Sequence, residues 1–86
     1  MERAVITKKV RDVLAEVLSD RQRVDSADDS TLLTGKDLDL MAVDLVYIVL
    51  ELMKAFNVRF DPSDFEHNNF NTIEGIVNAL EKHLES

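Results

Sequence analysis

A small all-α bundle is the fold class that this sequence predicts, and three observations carry it. Apolar residues recur at three- and four-residue steps in three separate segments, which is the period of an amphipathic helix. Two glycines and one proline in 86 residues leave few breakers for a many-turned β fold. With 45% apolar residues the chain can bury one core, and its length makes residues 1–86 a single domain.

The first helix is expected over residues 3–19, where Ile6, Val10, Val13, Leu14, Val17 and Leu18 form one stripe. Lys8, Lys9, Arg11, Asp12 and Glu16 occupy the other side and read as a solvated face. Residues 20–39 then lose the helical beat and read as a long polar loop, with Val24, Leu32, Leu33 and Leu38 spaced like pegs across a core. The second helix, residues 40–56, is the most apolar segment, and Asp39 or Asp37 is placed to cap its start. Asp44, Tyr47, Glu51 and Lys54 share a narrow polar stripe, while Leu45, Val49, Leu52, Met53 and Phe56 lie opposite and should be core. Phe56 closes that apolar face and is expected to anchor the core. Val43, Val46 and Leu50 flank the stripe. Either the 20–39 loop covers them, or with Tyr47 they form a half-exposed patch that receives a partner.

Residues 57–62 end the second helix, and a short helical turn follows around residues 63–67. The last helix is expected to start at Asn71, where Asn71-Thr72-Ile73-Glu74 has capping-box spacing. Ile73, Ile76, Val77, Leu80 and Leu84 keep its period. The sum is a four-helix bundle of three long helices and one short one.

A net charge of −7 and a pI near 4.6 argue against nucleic acid and anionic lipid, and favour partners with basic patches. The absence of cysteine excludes disulfides, thiolate zinc sites and thiol catalysis. No signal-peptide pattern and no apolar run of membrane-spanning length is seen, so a soluble, monomeric, cytoplasmic protein is the expectation. No nucleophile–base–orienter set, glycine-rich phosphate loop or cofactor motif is present, so no catalytic residues are assigned and no enzyme is expected. His67 near Asp64 and Glu66 has some of the chemistry of a metal site, but on a short exposed turn these residues read as solvated, and no metal is expected. His83, near the end of the last helix, is placed to complement the helix dipole.

The segment Met41-Ala42-Val43-Asp44 aligns with the Asp-Ser-Leu-Asp of acyl and peptidyl carrier proteins, at the start of their second helix. Asp44 to Glu51, followed by Phe56-Asn57-Val58-Arg59-Phe60, is similar to that family's second helix and the hydrophobic segment after it. Asp64-Phe65-Glu66-His67-Asn68-Asn69-Phe70-Asn71-Thr72, continuing to Ile76-Val77, resembles the same region of D-alanyl carrier proteins. The order of segments resembles the family over nearly the whole chain. Among branches without the serine it looks most like the acyl-carrier-related proteins of peptide maturation systems. The resemblance implies a carrier-type helical bundle with the 4'-phosphopantetheine position at Ala42.

Two departures change what the resemblance implies. Alanine has no hydroxyl, so Ala42 cannot form the phosphodiester, and no phosphopantetheine is expected unless serine is restored there. The aspartate before the serine is also replaced, by Met41. On the partner-facing side of the second helix, where the family shows acidic side chains, this chain has Tyr47, Met53 and Lys54. Asp29-Ser30-Thr31-Leu32 is superficially like the family tetrad, but it lies well before the helix and reads as a self-capped polar loop.

Three functions follow as expectations. The first is a non-catalytic interaction module in a biosynthetic system, such as one that modifies peptides, docking partner enzymes through Val43, Asp44, Tyr47 and Leu50. The second is a genuine acyl or aminoacyl carrier whose serine at position 42 was replaced. The third is an apolar-ligand binder, which would need a formed pocket.

Overall fold

Ile6, Val10, Val13 and Leu14 are buried on one side of α1 (Arg3–Leu18), and the rest of the chain packs around that stripe. The computed structural model describes residues 1–85, which form four further helices: α2 (Arg21–Ser26), α3 (Ala42–Phe56), α4 (Pro62–His67) and α5 (Ile73–Glu85). α1 packs against α5, α2 and α3. The architecture is a small all-α bundle, with one short helix more than the sequence reading expects. α1 ends at Ser19, whose left-handed φ of 54° turns the chain.

The extra element is α2, inside the segment expected to be loop. Its start is held by Asp20, whose side chain accepts the Arg23 amide at 3.2 Å. Val24 faces inward and is fully buried, as are Leu33 and Leu38 farther along. Leu32, expected as a fourth peg, is exposed, and Leu40 is buried instead. Arg11 is also not simply solvated. Its guanidinium donates to the Val24 carbonyl at 2.5 Å, to the Ala27 carbonyl at 2.9 Å and to Asp29 Oδ1 at 2.6 Å. A planar five-donor group suits this task, because at the end of α2 the Val24 carbonyl has only the Ala27 amide and the Ala27 carbonyl has no helical partner.

α3 starts at Ala42, and its cap differs from expectation. Asp39 lies in the left-handed region (φ 52°) and its amide bonds to the Gly35 carbonyl, so neither it nor Asp37 caps the helix. Asp44, in the first turn, reaches back instead and accepts the Met41 amide at 2.8 Å. The buried side of α3 is Ile48, Val49 and Leu52, while Leu45, Met53 and Phe56 are only partly buried against the core. α3 is therefore rolled so that Ile48, not Phe56, points at the centre.

The buried aromatic is Phe60, just past α3. It meets Phe70 edge-on at 5.1 Å between ring centroids, Phe65 at 6.1 Å and the His83 ring at 5.5 Å. α4 follows with Pro62 in its first turn, and the Asp61 amide donates to Asp64 Oδ2 at 2.6 Å.

At the start of α5 the capping residue is Thr72 rather than Asn71: its Oγ1 accepts the Gly75 amide at 3.0 Å. Asn71 is taken by the long connection, receiving the Thr34 amide at 3.0 Å and donating to Thr34 Oγ1 at 2.8 Å. The Glu74 amide, free at the helix start, donates to the Asp29 carbonyl at 2.9 Å. Gly75 allows this turn to close, since a Cβ there would overlap the Asn69 carbonyl.

Phe60→Ala should cost about 3–5 kcal/mol, as deletion of a buried aromatic does, and Phe56→Ala less than half as much. Urea unfolding of the two variants checks this, and equal losses would contradict the burial order.

Candidate functional site

Leu38 and Leu40 are buried on either side of Asp39, so the chain is pinned immediately before α3 and its next residues project outward. Met41, Val43, Val46, Tyr47 and Leu50 are each more than half exposed. Positions 43, 47 and 50, with 46 beside them, fall on one face of a helix, so the exposed residues make a continuous apolar strip. Of the two readings of this flank, the exposed patch is the one found. The connection between α1 and α3 does not cover it.

Ala42 is the first residue of α3 and is exposed. Asp44 is half-buried, and its carboxylate is engaged at the helix start rather than offered along the strip. The structure thus groups Val43, Tyr47 and Leu50, and sets Asp44 apart from them.

Two depressions adjoin the strip. One is an open cleft of about 390 Å³, bordered by Val46, Val49, Leu50 and Met53 of α3 and by Phe65 and Phe70, with no polar residue in its wall. Phe65 is itself half exposed. The other, about 570 Å³, lies at the far end of α3, where Tyr47 and Leu50 give way to Glu51, Lys54, Val58 and Arg59.

Sequence reading misses the pairing of Asp64 with His83. Asp64 is buried and accepts from His83 Nε2 at 2.9 Å as well as from the Asp61 amide. His83 therefore does more than complement a helix dipole: it ties α4 to α5. The Asp61–Pro62–Asp64 spacing could have indicated that Asp64 turns inward as a cap. Nothing local marks a partner nineteen residues away. Burial raises the Asp64 carboxyl, but the His83 hydrogen bond, the Asp61 amide and the charges of His83 and Lys82 outweigh it. The carboxyl is held below its ordinary value.

The other polar candidates lie apart. His67 Nδ1 contacts the Ser63 carbonyl at 2.9 Å within α4. Among the described residues no group of three or more His, Cys, Asp or Glu is close enough to hold a metal ion. Ser30 is exposed in a turn where the Asp28 amide donates to Thr31 Oγ1 at 3.2 Å. No helix among the described residues is long and apolar enough to cross a membrane. The chain has no significant match among family models, curated proteins or solved structures.

A carboxyl whose folded pKa is depressed stabilises the fold above its unfolded pKa, and that stability is lost as pH falls through the folded value. Asp64→Asn should therefore be less stable than the parent at neutral pH and lose less on acidification below about pH 4. Denaturant midpoints measured across the acid range check this. Parallel curves for the two proteins would remove Asp64 from the acid response.

Proposed function

We propose that this chain is a non-catalytic interaction module on a carrier-like plan, without an attachment serine, whose outward α3 face docks a partner protein. The carrying observation is the apolar strip of Met41, Val43, Val46, Tyr47 and Leu50, left open on a helix whose opposite side is core. A contiguous apolar patch on a small acidic domain is a feature that partner binding accounts for and folding does not. Tyr47 is the natural hot spot, since an aromatic with a polar tip suits a half-buried contact. The likeness of residues 41–60 to carrier proteins supports a biosynthetic setting, peptide modification among the candidates, and Ala42 supports an armless role within it.

Two further readings each have an observation behind them. Ala42 is exposed at the first residue of α3, where a serine hydroxyl would be open to a modifying enzyme. This favours a group carrier whose natural residue is serine. The apolar cleft beside Phe65 and Phe70 favours an apolar-ligand binder.

In a pull-down from the native host, a Tyr47→Ala, Leu50→Ala pair should lose the partner that the parent protein retains, with helical content unchanged. Equal retention by both proteins would move the interaction off α3, with the acidic stretch 25–29 next in line. Incubated with a phosphopantetheinyl transferase and coenzyme A, the chain should keep its mass. A Met41→Asp, Ala42→Ser variant should fold as the parent does, because both positions are exposed and a carboxylate before the helix suits its dipole. Gain of the arm by that variant alone would favour the group-carrier reading, and gain by the unaltered chain would displace position 42 as the attachment site.

A further inference from the structure

The apolar strip on α3 does not end in the acidic surroundings that the composition leads one to expect. Lys54 continues the line of Val43, Tyr47 and Leu50 one turn farther on, and Arg59 borders the same groove beyond the helix. Lys54 is held only loosely, by an exposed contact of 3.5 Å with Glu51. It also complements the dipole at the end of α3, which is reason enough for a lysine there. Arg59 lies outside the helix and has no such duty. It makes no hydrogen bond or ion pair among the described residues, although the chain carries 17 acidic side chains against ten basic ones.

The strip exposes on the order of 500 Å², at the upper end of what a monomer leaves bare in one patch. A stable dimer needs roughly 800 Å² from each partner, so a second copy is poorly served by this face. From Val43 to Lys54 it runs about 16 Å, the length of about three helical turns. Of its acidic neighbours, Glu16 lies beside Tyr47 on the α1 side, whereas Glu51 borders both that side and the groove that Lys54 and Arg59 share. Glu51 offsets Lys54 there, and Arg59 leaves the groove one positive charge in excess, since charges farther off than about 8 Å are largely screened at physiological salt.

We infer that the α3 face takes an amphipathic helical segment of a partner, lying antiparallel to α3, with carboxylates in its first turn over Lys54 and Arg59. The inference rests on the reading of α3 as a docking face, and it adds the partner's chemistry. Acidic side chains in a first turn are already favoured by their own helix dipole. In the antiparallel arrangement that end meets the last turn of α3, and the apolar positions of the segment fall on Leu50, Tyr47 and Val43.

Three synthetic peptides test it, identical in their apolar positions and differing only in first-turn residues: Glu, Gln or Lys. Binding to the isotope-labelled full chain is followed by NMR shift changes on α3. The Glu peptide should bind most tightly and the Lys peptide least. A Lys54→Glu, Arg59→Glu variant should weaken the Glu peptide by about tenfold, in keeping with two exposed ion pairs, and favour the Lys peptide instead. Equal affinity for all three peptides, with all three lost in a Leu50→Ser variant, would overturn the charge assignment and leave the docking face standing. Shifts that spare α3, or no binding of any peptide, would overturn both. Shifts that depend on protein concentration alone would make a second copy the occupant and also overturn the inference.

Discussion

The Arg11 clasp is the interaction on which the arrangement of the other parts depends. From the polar side of α1, one guanidinium takes the last carbonyls of α2 and the side chain of Asp29. The Asp29 backbone in turn accepts the first free amide of α5, and the Leu33 amide bonds to the Asn71 carbonyl at 2.8 Å. A connection that would otherwise be a long floppy loop becomes a strap joined to both ends of the chain. Because the strap is pinned, Leu38 and Leu40 enter the core at a defined place, and α3 begins at Ala42 with Val43, Val46, Tyr47 and Leu50 turned outward. Removing Arg11 would leave the part-buried Ala27 carbonyl without its partner and the Val24 carbonyl with the Ala27 amide alone, which costs more than the loss of an ordinary surface pair.

The long helices were legible because their periodicity is strong: Ile6, Val10, Val13 and Leu14 could hardly lie on any other face. Short-range capping was less legible. Several oxygen-bearing side chains compete near each helix start, and the tertiary context selected Asp44 over Asp39 and Thr72 over Asn71. α2 is hard to read because six residues cannot show a period, although Asp20 three positions before Arg23 has the spacing of a cap. Periodicity marks Phe56 as a core anchor and gives no signal for Phe60, for a common reason. Periodicity places a residue on a face but does not say how far the helix is rolled, and the roll is set by Ile48 and Leu52 packing inward. Within the candidate site, the spacing of Val43, Tyr47 and Leu50 was readable. Their exposure was not, because a strand of loop could equally have covered them. Pairs such as Asp64 with His83, or Arg11 with Asp29, join distant positions and leave no local trace.

Net charge is a poor guide to the chemistry of one face. The chain is acidic as a whole, but many of its carboxylates are engaged: Asp12 with Arg21 and Lys8, Asp29 with Arg11, Glu81 with Arg3, Asp64 with His83. Asp44 is committed to the helix start. The outward face of α3 is thus uncharged along most of its length and acquires charge only at its end.

The pairing of α1 with α5 has a consequence for the order in which the domain can assemble. Arg3 reaches Glu81 across 78 positions, and the strap's bonds to Asn71 and Glu74 also wait on the last part of the chain. While the chain is being synthesised, α1, α2 and α3 can form before the surface that seals them exists. Local helices are available early, but the core closes only when the final helix arrives, because its loops must be paid for before distant contacts repay them. Until then the inner faces of α1 and α3, together with the outer strip, leave α3 apolar on both sides, and such a nascent chain has the character of a chaperone substrate.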